Sequence, residues 1–404
     1  MTILLLAILL QETTPAQVFE RRILPIFKSP KPSSCVDCHL SGVDLKNYIH
    51  PSHEKTFLSL RDQGMIDLAK PEESRILRLI GMGENAGAAL INEKVRKAEL
   101  EAFADWIKAC AADPKLREAP KLAASELARP KRPDEVIRHN RIDRVLASFE
   151  RNVWSQRFRC APCHAPDGAE NANLVKENGE AMTWIRPEGA EATMKAILAN
   201  NLIVPKAPEK SLLLLKPLNI VKHGGGQKML VGDLTYKAFR AWIDDYAKVV
   251  TDQYAKAADL PKDTKELDSF GSEVWLKLTN TPPAWGDKLL QVTLYAWDAQ
   301  KKAWEPDPIA NSDRKVFGKG RLWQHNLTLL AASGTPRADD WSKRKKPTLP
   351  AGKYLVRVHV DVQGRLERDW KATLGKAELA GEFEVDSRWP EGYGSMTVLD
   401  VARK

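Results

Sequence analysis

The sequence lacks any long hydrophobic run. Its 404 residues are 43% hydrophobic and 28% charged, and no stretch approaches the roughly 20 consecutive apolar residues of a membrane-spanning helix. The one apolar run, residues 3–10, lies at the N-terminus and precedes a polar segment, residues 11–17. This order is typical of a short signal peptide, although no Lys or Arg precedes the run. We therefore expect residues 1–17 to be a signal peptide or an N-terminal anchor.

Nucleic-acid-binding motifs are also absent. The formal net charge is +9, and the densest basic run is Lys343–Lys346. No interleaved aromatic residues accompany this run, so we predict no nucleic-acid partner. A solvated loop is the simplest interpretation, and such a loop could also steer an acidic partner or an anionic surface toward the protein.

Cysteine is scarce, and its distribution is the most informative feature of the chain. Four of the five cysteines fall in two C-x-x-C-H motifs, Cys35–His39 and Cys160–His164. Two thiols at this spacing can add to the vinyl groups on one edge of a haem, and the histidine that follows can bind the iron. Two covalently bound haem c groups are therefore expected. The predicted residues are Cys35, Cys38, Cys160 and Cys163 for attachment, with His39 and His164 as proximal iron ligands.

The two motifs lie in an internal repeat. The first is followed by Pro71-Glu72-x-Ser74 and Trp106-Ile107, and the second by Pro208-Glu209-x-Ser211 and Trp242-Ile243. The offsets are 125 for the motifs, 137 for the Pro-Glu-x-Ser segments and 136 for the Trp-Ile pairs. A single insertion after the second motif accounts for the difference, so the chain contains two copies of one module.

Apolar periodicity predicts that each copy is mainly helical. A helix should precede each motif, and an amphipathic helix should close each copy. The expected helix faces before the motifs are Val18, Phe19, Ile23, Ile26 and Phe27, and Ile142, Val145, Leu146, Phe149 and Val153. The expected closing faces are Leu100, Phe103, Trp106, Ile107 and Cys110, and Phe239, Trp242, Ile243, Tyr246 and Val249. On such a face Cys110 should be a buried thiol rather than half of a disulfide.

Beyond the second copy the pattern changes to short runs with period two. These runs are typical of strands, and roughly seven of them suggest an immunoglobulin-like β-sandwich, although a barrel would give a similar pattern. The predicted domains are a cytochrome c-like module over residues 18–112, a linker over 113–133, a second module over 134–256, a linker over 257–268 and the β-sandwich over 269–404.

This layout of helices resembles class I cytochrome c, in which the distal ligand comes from the loop before the last helix, so the resemblance implies that the sixth iron ligands lie in the loops before the closing helices. The first loop contains Met82 between two glycines, and the second contains His223, followed by three glycines, and Met229. Only histidine and methionine are good low-spin haem ligands here. We predict Met82 for the first haem, with His53, His50 and Met65 as alternatives. For the second haem we predict His223 over Met229, because a polar residue before three glycines is hard to explain as core.

These features together resemble the planctomycete-type cytochrome c modules and, more broadly, class I cytochrome c. The second copy resembles that pattern well through Ser211–Leu215, His223–Gly226 and Trp242-Ile243. The first keeps the haem motif but lacks a His-Gly-Gly-Gly loop. The resemblance covers roughly residues 18 to 250. It implies electron transfer between two haem c groups and redox partner proteins of the cell envelope, in a periplasmic or other extracytoplasmic location.

Two other functions fit the same motifs. A dihaem cytochrome c peroxidase also carries two C-x-x-C-H motifs, but it needs an iron with an open sixth position. Alternatively, the β domain could target a redox protein to a polysaccharide or a partner protein, since exposed tryptophan faces stack on sugar rings. Eight of the twelve tryptophans lie beyond residue 268, including Trp285, Trp304, Trp323, Trp341 and Trp389.

Overall fold

The computed structural model describes residues 14–28, 33–35, 39–40, 45–82, 93–129, 131–262, 267–317 and 321–402. Helices occupy the N-terminal half and a mostly β region follows, as the predicted fold class requires in outline. The chain divides into two compact units, residues 1–144 with 249–260, and residues 145–248 with 261–404. Of the expected signal segment, residues 1–13 lie outside the described residues. Thr14 caps a helix that begins at Pro15.

The first unit is helical in its described residues. A continuous segment of α, π and α turns runs from Pro15 to Lys28, before the first haem motif. Ser52 caps the next long helix by accepting a hydrogen bond from the Lys55 amide. The bounds are Pro15–Val18, Phe19–Ile23, Leu24–Lys28, Leu45–Tyr48, His53–Asp62, Pro71–Glu73, Arg75–Gly81, Glu93–Ala112, Pro114–Arg117, Asp134–His139 and Ala257–Asp259.

The closing helix Glu93–Ala112 supplies the centre of this unit's core. Trp106 is fully buried, and its ring lies 5.4 Å from that of Phe19 and 6.1 Å from that of Phe57. Cys110 is buried on the same face, and burial raises the pKa of its thiol to about 12. The prediction of an amphipathic closing helix with a buried thiol is therefore confirmed.

The segment predicted as a linker, residues 113–133, is anchored on the first unit. The guanidinium of Arg61 donates to the carbonyl oxygens of Leu116 and Ala119, both at 2.9 Å. Gln63 donates to the carbonyl of Ala128 at 2.8 Å. The composition of residues 113–133 resembles that of a free linker. These hydrogen bonds from side chains to its backbone carbonyls nevertheless fix its path along the helix His53–Asp62.

The second unit begins with helices and ends with strands. Two helices, Ile142–Asn152 and Leu234–Val250, cross the boundary between the residue ranges of the two units. In the second unit's core, Phe149 packs against the buried Trp242 of the closing helix at 4.9 Å. The helical bounds are Ile142–Asn152, Trp154–Arg159, Ala161–His164, Asn171–Asn178, Glu180–Met182, Ala190–Ala199, Pro208–Lys210, Leu212–Leu215 and Leu234–Val250.

The internal repeat is visible as matched hydrogen bonds. The amide of Asp67 donates to Ser74 Oγ at 3.1 Å, and that of Val204 donates to Ser211 Oγ at 3.0 Å. Likewise, Ile76 donates to the carbonyl of Met65 and Leu213 to that of Leu202, both at 3.1 Å. Each pair is displaced by 137 residues, the offset of the Pro-Glu-x-Ser segments. The two helical segments therefore share local structure as well as sequence.

The β region is one sheet of eight strands, joined in the order β7-β6-β2-β4-β5-β1-β8, with β3 paired to β2. Alternating residues point into one apolar core that includes Leu276, Val292, Leu327 and Val356. Ser387 at the end of β7 and Thr397 at the start of β8 bring the edge strands together, with 2.7 Å between their hydroxyl oxygens. The bounds are β1 Leu267–Thr279, β2 Leu289–Asp298, β3 Ala303–Trp304, β4 Ala310–Lys315, β5 Leu322–Ala332, β6 Gly352–Val360, β7 Leu379–Ser387 and β8 Thr397–Asp400.

This single, nearly closed sheet corrects the prediction of two face-packed sheets. Period-two alternation puts one face of each strand in a core, and it does so equally in a sandwich and in a curled, barrel-like sheet. The strand order decides between them, because β1 pairs antiparallel with β5 and parallel with the last strand, β8. Short helices, Pro336–Lys343 and Arg365–Arg368, lie in the connections, together with the turns Pro283–Trp285, Lys376–Glu378 and Tyr393–Ser395.

Within the second unit the helical segment packs directly on the sheet. A Cβ added to Gly271 of β1 would lie 2.5 Å from Cγ of Phe158, and one added to Gly232 would lie 2.5 Å from Cβ of Leu366. Tyr236 of the closing helix meets Trp370 edge-on at 5.9 Å. Glycine is needed at residues 232 and 271 because the two parts approach more closely than a methyl group allows.

We predict that Gly271→Ala lowers the free energy of unfolding by about 1–3 kcal/mol, because the new methyl group must displace the Phe158 ring. Gly394→Ala is the matched control, since nothing lies within 4 Å of a Cβ built there. Urea unfolding followed by tryptophan fluorescence measures both. Equal stability of the two variants would contradict the close approach at residue 271.

Candidate haem sites

The second C-x-x-C-H motif forms a single helical turn, Ala161–His164. The amides of Cys163 and His164 both donate to the carbonyl of Cys160, at 3.2 and 3.0 Å. Residues three and four apart on a helix share one face. The turn therefore presents Cys160, Cys163 and His164 on the same side, as attachment to one haem edge and ligation of its iron require.

Gly168 packs closely against the backbone of this turn. A Cβ at residue 168 would lie 2.4 Å from the carbonyl oxygen of Ala161 and 2.5 Å from that of Pro162. These atoms belong to the motif's backbone, so they cannot move without breaking the turn. The amide of Glu170 also donates to the carbonyl of Pro162 at 2.9 Å. The chain after the motif is thus folded tightly against it.

His164, the predicted proximal ligand, is held through its Nδ1 atom. His164 Nδ1 lies 2.8 Å from the carbonyl oxygen of Met182, and Trp184 packs beside the imidazole at 5.1 Å. Because the carbonyl can only accept, Nδ1 carries the proton and Nε2 has a free lone pair. Burial lowers the pKa of His164, although the Met182 carbonyl opposes this. The ring is therefore neutral at pH 7, the form that binds a metal.

His223 is oriented in the same way by its glycine loop. Its Nδ1 atom lies 2.7 Å from the carbonyl oxygen of Gly226, and its own carbonyl accepts from the Gly226 amide at 2.9 Å. Gly226 adopts a positive φ of 67°, and a Cβ at Gly225 would lie 3.3 Å from Cε1 of the imidazole. The glycines thus form a tight turn around the histidine, and again Nε2 is the nitrogen with a free lone pair.

The fold brings His164 and His223 together. Their ring centroids are 6.3 Å apart and their planes are parallel within 2°. A metal–imidazole nitrogen bond is about 2 Å long and the ring centre lies roughly 1 Å further, so two imidazoles that share one metal have centroids roughly 6 Å apart. The observed spacing is close to this value, so His164 and His223 would be able to hold one haem iron between them. Met229, the alternative ligand, is instead a buried core residue with 2% exposure.

The first motif has the same local hydrogen bond. The amide of His39 donates to the carbonyl of Cys35 at 3.1 Å, which matches the bond between His164 and Cys160. Cys38 lies outside the described residues. Burial, together with the charge of Arg141, lowers the pKa of His39 to about 4, against an opposing effect of Asp143. His39 is therefore neutral at pH 7, as a proximal ligand must be.

The sixth-ligand candidates of the first motif have different environments. Met82 caps the helix Arg75–Gly81 with 54% exposure, and the rest of its loop, residues 83–92, lies outside the described residues. His50 Nε2 and His53 Nδ1 are buried, and neither forms a hydrogen bond in the described part of the chain. Buried polar atoms normally have a partner. The two histidines are thus stronger alternatives to Met82 than the sequence alone indicated, whereas Met65 packs against the core.

Three features of the second site could not be found from sequence patterns. These are the supporting carbonyl of Met182, the packing of Trp184 on His164, and the glycine at residue 168. The Pro166-Asp167-Gly168 segment signals a turn, but no pattern shows which backbone that turn approaches. Carbonyl partners leave no sequence signal, because every residue has one.

No protein-family model, no curated protein and no solved structure matches this chain. Among the described helices, none is both long and apolar enough to cross a membrane. The described residues also contain no group of three or more His, Cys, Asp or Glu side chains that could hold a metal ion. A haem iron needs only two axial side chains, since the porphyrin supplies its other ligands.

We predict that Met82→Ala removes the weak near-infrared band that reports methionine–iron ligation in the oxidised holoprotein. The thioether supplies that band only while it is bound to iron. Met65→Ala is the matched control, because Met65 packs in the core. If no band exists in the unmodified protein, and His53→Ala or His50→Ala instead opens an iron to carbon monoxide, the ligand is a histidine and the Met82 prediction is wrong.

Proposed function

We propose that this chain is a dihaem c-type cytochrome that transfers single electrons outside the cytoplasm. The parallel imidazoles of His164 and His223, 6.3 Å apart and each held through Nδ1, are the observation that carries the proposal. When bound, haem c supplies an iron that alternates between two oxidation states. The protein's part is to attach it through Cys160 and Cys163, orient both ligands and limit water access.

The resemblance to planctomycete-type cytochrome c modules supports the same proposal for the first site. There Cys35 and Cys38 would attach the haem and His39 would bind its iron. Met82 is the proposed sixth ligand, with His53 and His50 as alternatives. Methionine ligation raises a haem potential relative to a second histidine, so the two irons would differ in potential. Export is part of the proposal because c-type haem is attached outside the cytoplasmic membrane in bacteria.

His223→Ala should leave two covalent haems per chain but open one iron to carbon monoxide. The alanine variant keeps both thioether bonds and loses only the sixth ligand. His359→Ala, a half-buried histidine of β6 outside the site, is the matched control. The measurements are haem quantification after alkaline pyridine treatment and the carbon monoxide difference spectrum. Two bound haems with no carbon monoxide binding in the alanine variant would contradict the role of His223.

A lysine-rich surface around the His223 loop suggests the kind of redox partner. Between residues 202 and 230 the only acidic residue is Glu209. Ile220 is 67% exposed and Leu212 37% exposed in the same segment. An apolar patch with basic neighbours favours a partner with an acidic surface. The exposed lysines are Lys206, Lys210, Lys216, Lys222 and Lys228.

We predict that Lys222→Glu slows reduction by an acidic flavodoxin about tenfold at low ionic strength, since steering by opposite charges acts on the association rate. The effect should shrink as salt is added. Lys301→Glu changes the same charge at an exposed site of the β region and is the matched control. Stopped-flow reduction measures both. A rate that is equally slow with a neutral small-molecule donor would contradict the docking role.

The peroxidase alternative depends on the first iron. His223 occupies the sixth position proposed for the second, so only the His39 site could be open. Binding of cyanide or carbon monoxide by the unmodified holoprotein would favour it.

Of the five tryptophans named for the carbohydrate-targeting alternative, Trp304 is the one outside the core of the sheet. Trp323, Trp341 and Trp389 are buried in the core of the sheet, and Trp285 packs against that core. Trp304 pairs with Trp297 at 4.9 Å, and Lys353 Nζ lies over both rings. Loss of polysaccharide retention in Trp297→Ala would support this alternative.

A further inference from the structure

A buried carboxylate lies where the second helical segment packs on the sheet. Asp313 of β4 faces the start of the closing helix Leu234–Val250. Its Oδ2 atom accepts from the Leu234 amide at 2.8 Å and from Gln291 Nε2 at 3.1 Å. Its Oδ1 atom is buried and has no hydrogen-bond partner in the described residues. An unpaired carboxylate oxygen in such a place is costly when charged and far less so when protonated.

A second carboxylate shares the same helix end but is fully satisfied. Asp233 Oδ1 accepts from the Tyr236 amide and Oδ2 from the Leu230 amide, both at 2.6 Å. Asp233 is therefore the helix cap. Burial raises the pKa of its carboxyl, and the charge of Arg159 and the backbone hydrogen bonds oppose that rise. The charge of Asp233 opposes ionisation of Asp313. Burial is the main cause that raises the pKa of Asp313 to about 7, and the charge of Asp233 is the second.

A short chain of contacts joins Asp313 to the second haem site. Arg159 directly precedes Cys160, and its Nη1 atom donates to Thr235 Oγ1 at 2.7 Å. Thr235 directly follows Leu234, whose amide binds Asp313. Burial raises the pKa values of both Cys160 and Asp313, and the positive charge of Arg159 opposes that rise in each. The carboxylate and the haem attachment residue therefore lie within range of the same charge.

Other charged groups surround the carboxylate without pairing with Oδ1. Burial lowers the pKa of Lys237 on the closing helix. The charges of Asp313, Asp369 and Asp233 oppose this change, and the charge of Arg365 adds to it. On the strands, burial lowers the pKa of His325 to about 3, so it is neutral near pH 7. The charged or titratable groups on the neighbouring elements are Asp233 and Lys237 of the helix end, Asp369 and Arg365 near Lys237, Arg159 of the turn Trp154–Arg159, Arg314 of β4 and His325 of β5.

We propose that Asp313 is a proton-binding site coupled to the second haem, which takes up a proton from solvent when that iron is reduced and releases it on oxidation. This inference rests on the proposed function. Reduction adds one negative charge near Arg159 and so weakens the stabilisation of the Asp313 anion. By reciprocity, protonation of Asp313 must favour the reduced iron. The electron comes from the redox partner, and the O–H bond formed on Asp313 breaks again on oxidation.

The test is a redox titration of the full holoprotein between pH 5 and pH 9, with spectra that separate the two haems. The midpoint of the His164/His223 haem should fall as the pH rises through neutrality, by at most about 59 mV for each tenfold drop in proton concentration. Asp313→Asn should remove this dependence. Asp233→Asn should move it to lower pH, because Asp313 loses its negative neighbour while asparagine still caps the helix.

Asp386→Asn, an exposed carboxylate of β7, is the matched control and should change nothing. A slope that persists in Asp313→Asn would assign the proton to another group and overturn the proposal. A haem that can be reduced but whose midpoint potential does not change with pH in the unmodified protein would also overturn the proposal. That result would leave the proposed function intact. A chain without covalent haem would overturn both. If Asp313→Asn does not fold, the proposal is tested by Asp233→Asn alone: the pH dependence of the midpoint potential must move to lower pH, and no movement would overturn the proposal.

Unfolding gives a readout that does not depend on haem. The pKa of Asp313 is about 7 in the folded protein and near 3.9 in an unfolded chain. Between these values the folded state binds more protons, so stability must fall as pH rises. Asp313→Asn should flatten that part of the urea-unfolding profile. An unchanged profile would show that Asp313 is ionised throughout and would overturn the proposal.

Discussion

The arrangement of the second site depends on one constraint: an imidazole can bind a metal through Nε2 only when its proton is on Nδ1 and its ring is held in place. Two backbone carbonyls, those of Met182 and Gly226, impose that state on His164 and His223. Each carbonyl lies in a turn that the neighbouring chain stabilises. The two imidazoles are thus positioned by hydrogen bonds to backbone carbonyls, which fix both the tautomer and the orientation of each ring.

The local elements could be predicted from sequence where a single period determines them. The closing helices bury the expected faces around Trp106 and Trp242, and the strands alternate as their residues indicate. Contacts that depend on distant backbone could not be predicted. The docking of residues 113–129 on Arg61 and the curling of the sheet are of this kind, since neither composition nor period specifies which backbone groups meet. His223 was within reach of sequence reasoning because three glycines after a polar residue signal a special turn.

The two helical segments share their hydrogen-bonding frame but not their surroundings. In the second, the turn before the haem motif packs on β1 through Phe158 and Gly271. The first has no sheet attached to it in the described residues of its unit. Beside its C-x-x-C-H motif the second segment has the His223 glycine loop, whereas the described part of the first segment has buried histidine nitrogens at His50 and His53. The two segments therefore share a hydrogen-bonding frame but differ in the residues available as ligands.

The pairing of β1 with β8 has a consequence for folding. Leu276 lies beside Thr397, at the opposite end of the β region in sequence. Loop-closure entropy makes such a pairing slow, and it can form only after the intervening strands have been synthesised. The C-x-x-C-H turns, by contrast, need only neighbouring residues. Each of these turns can therefore form while the sheet is still open, whereas the sheet can close only when the last strand is present.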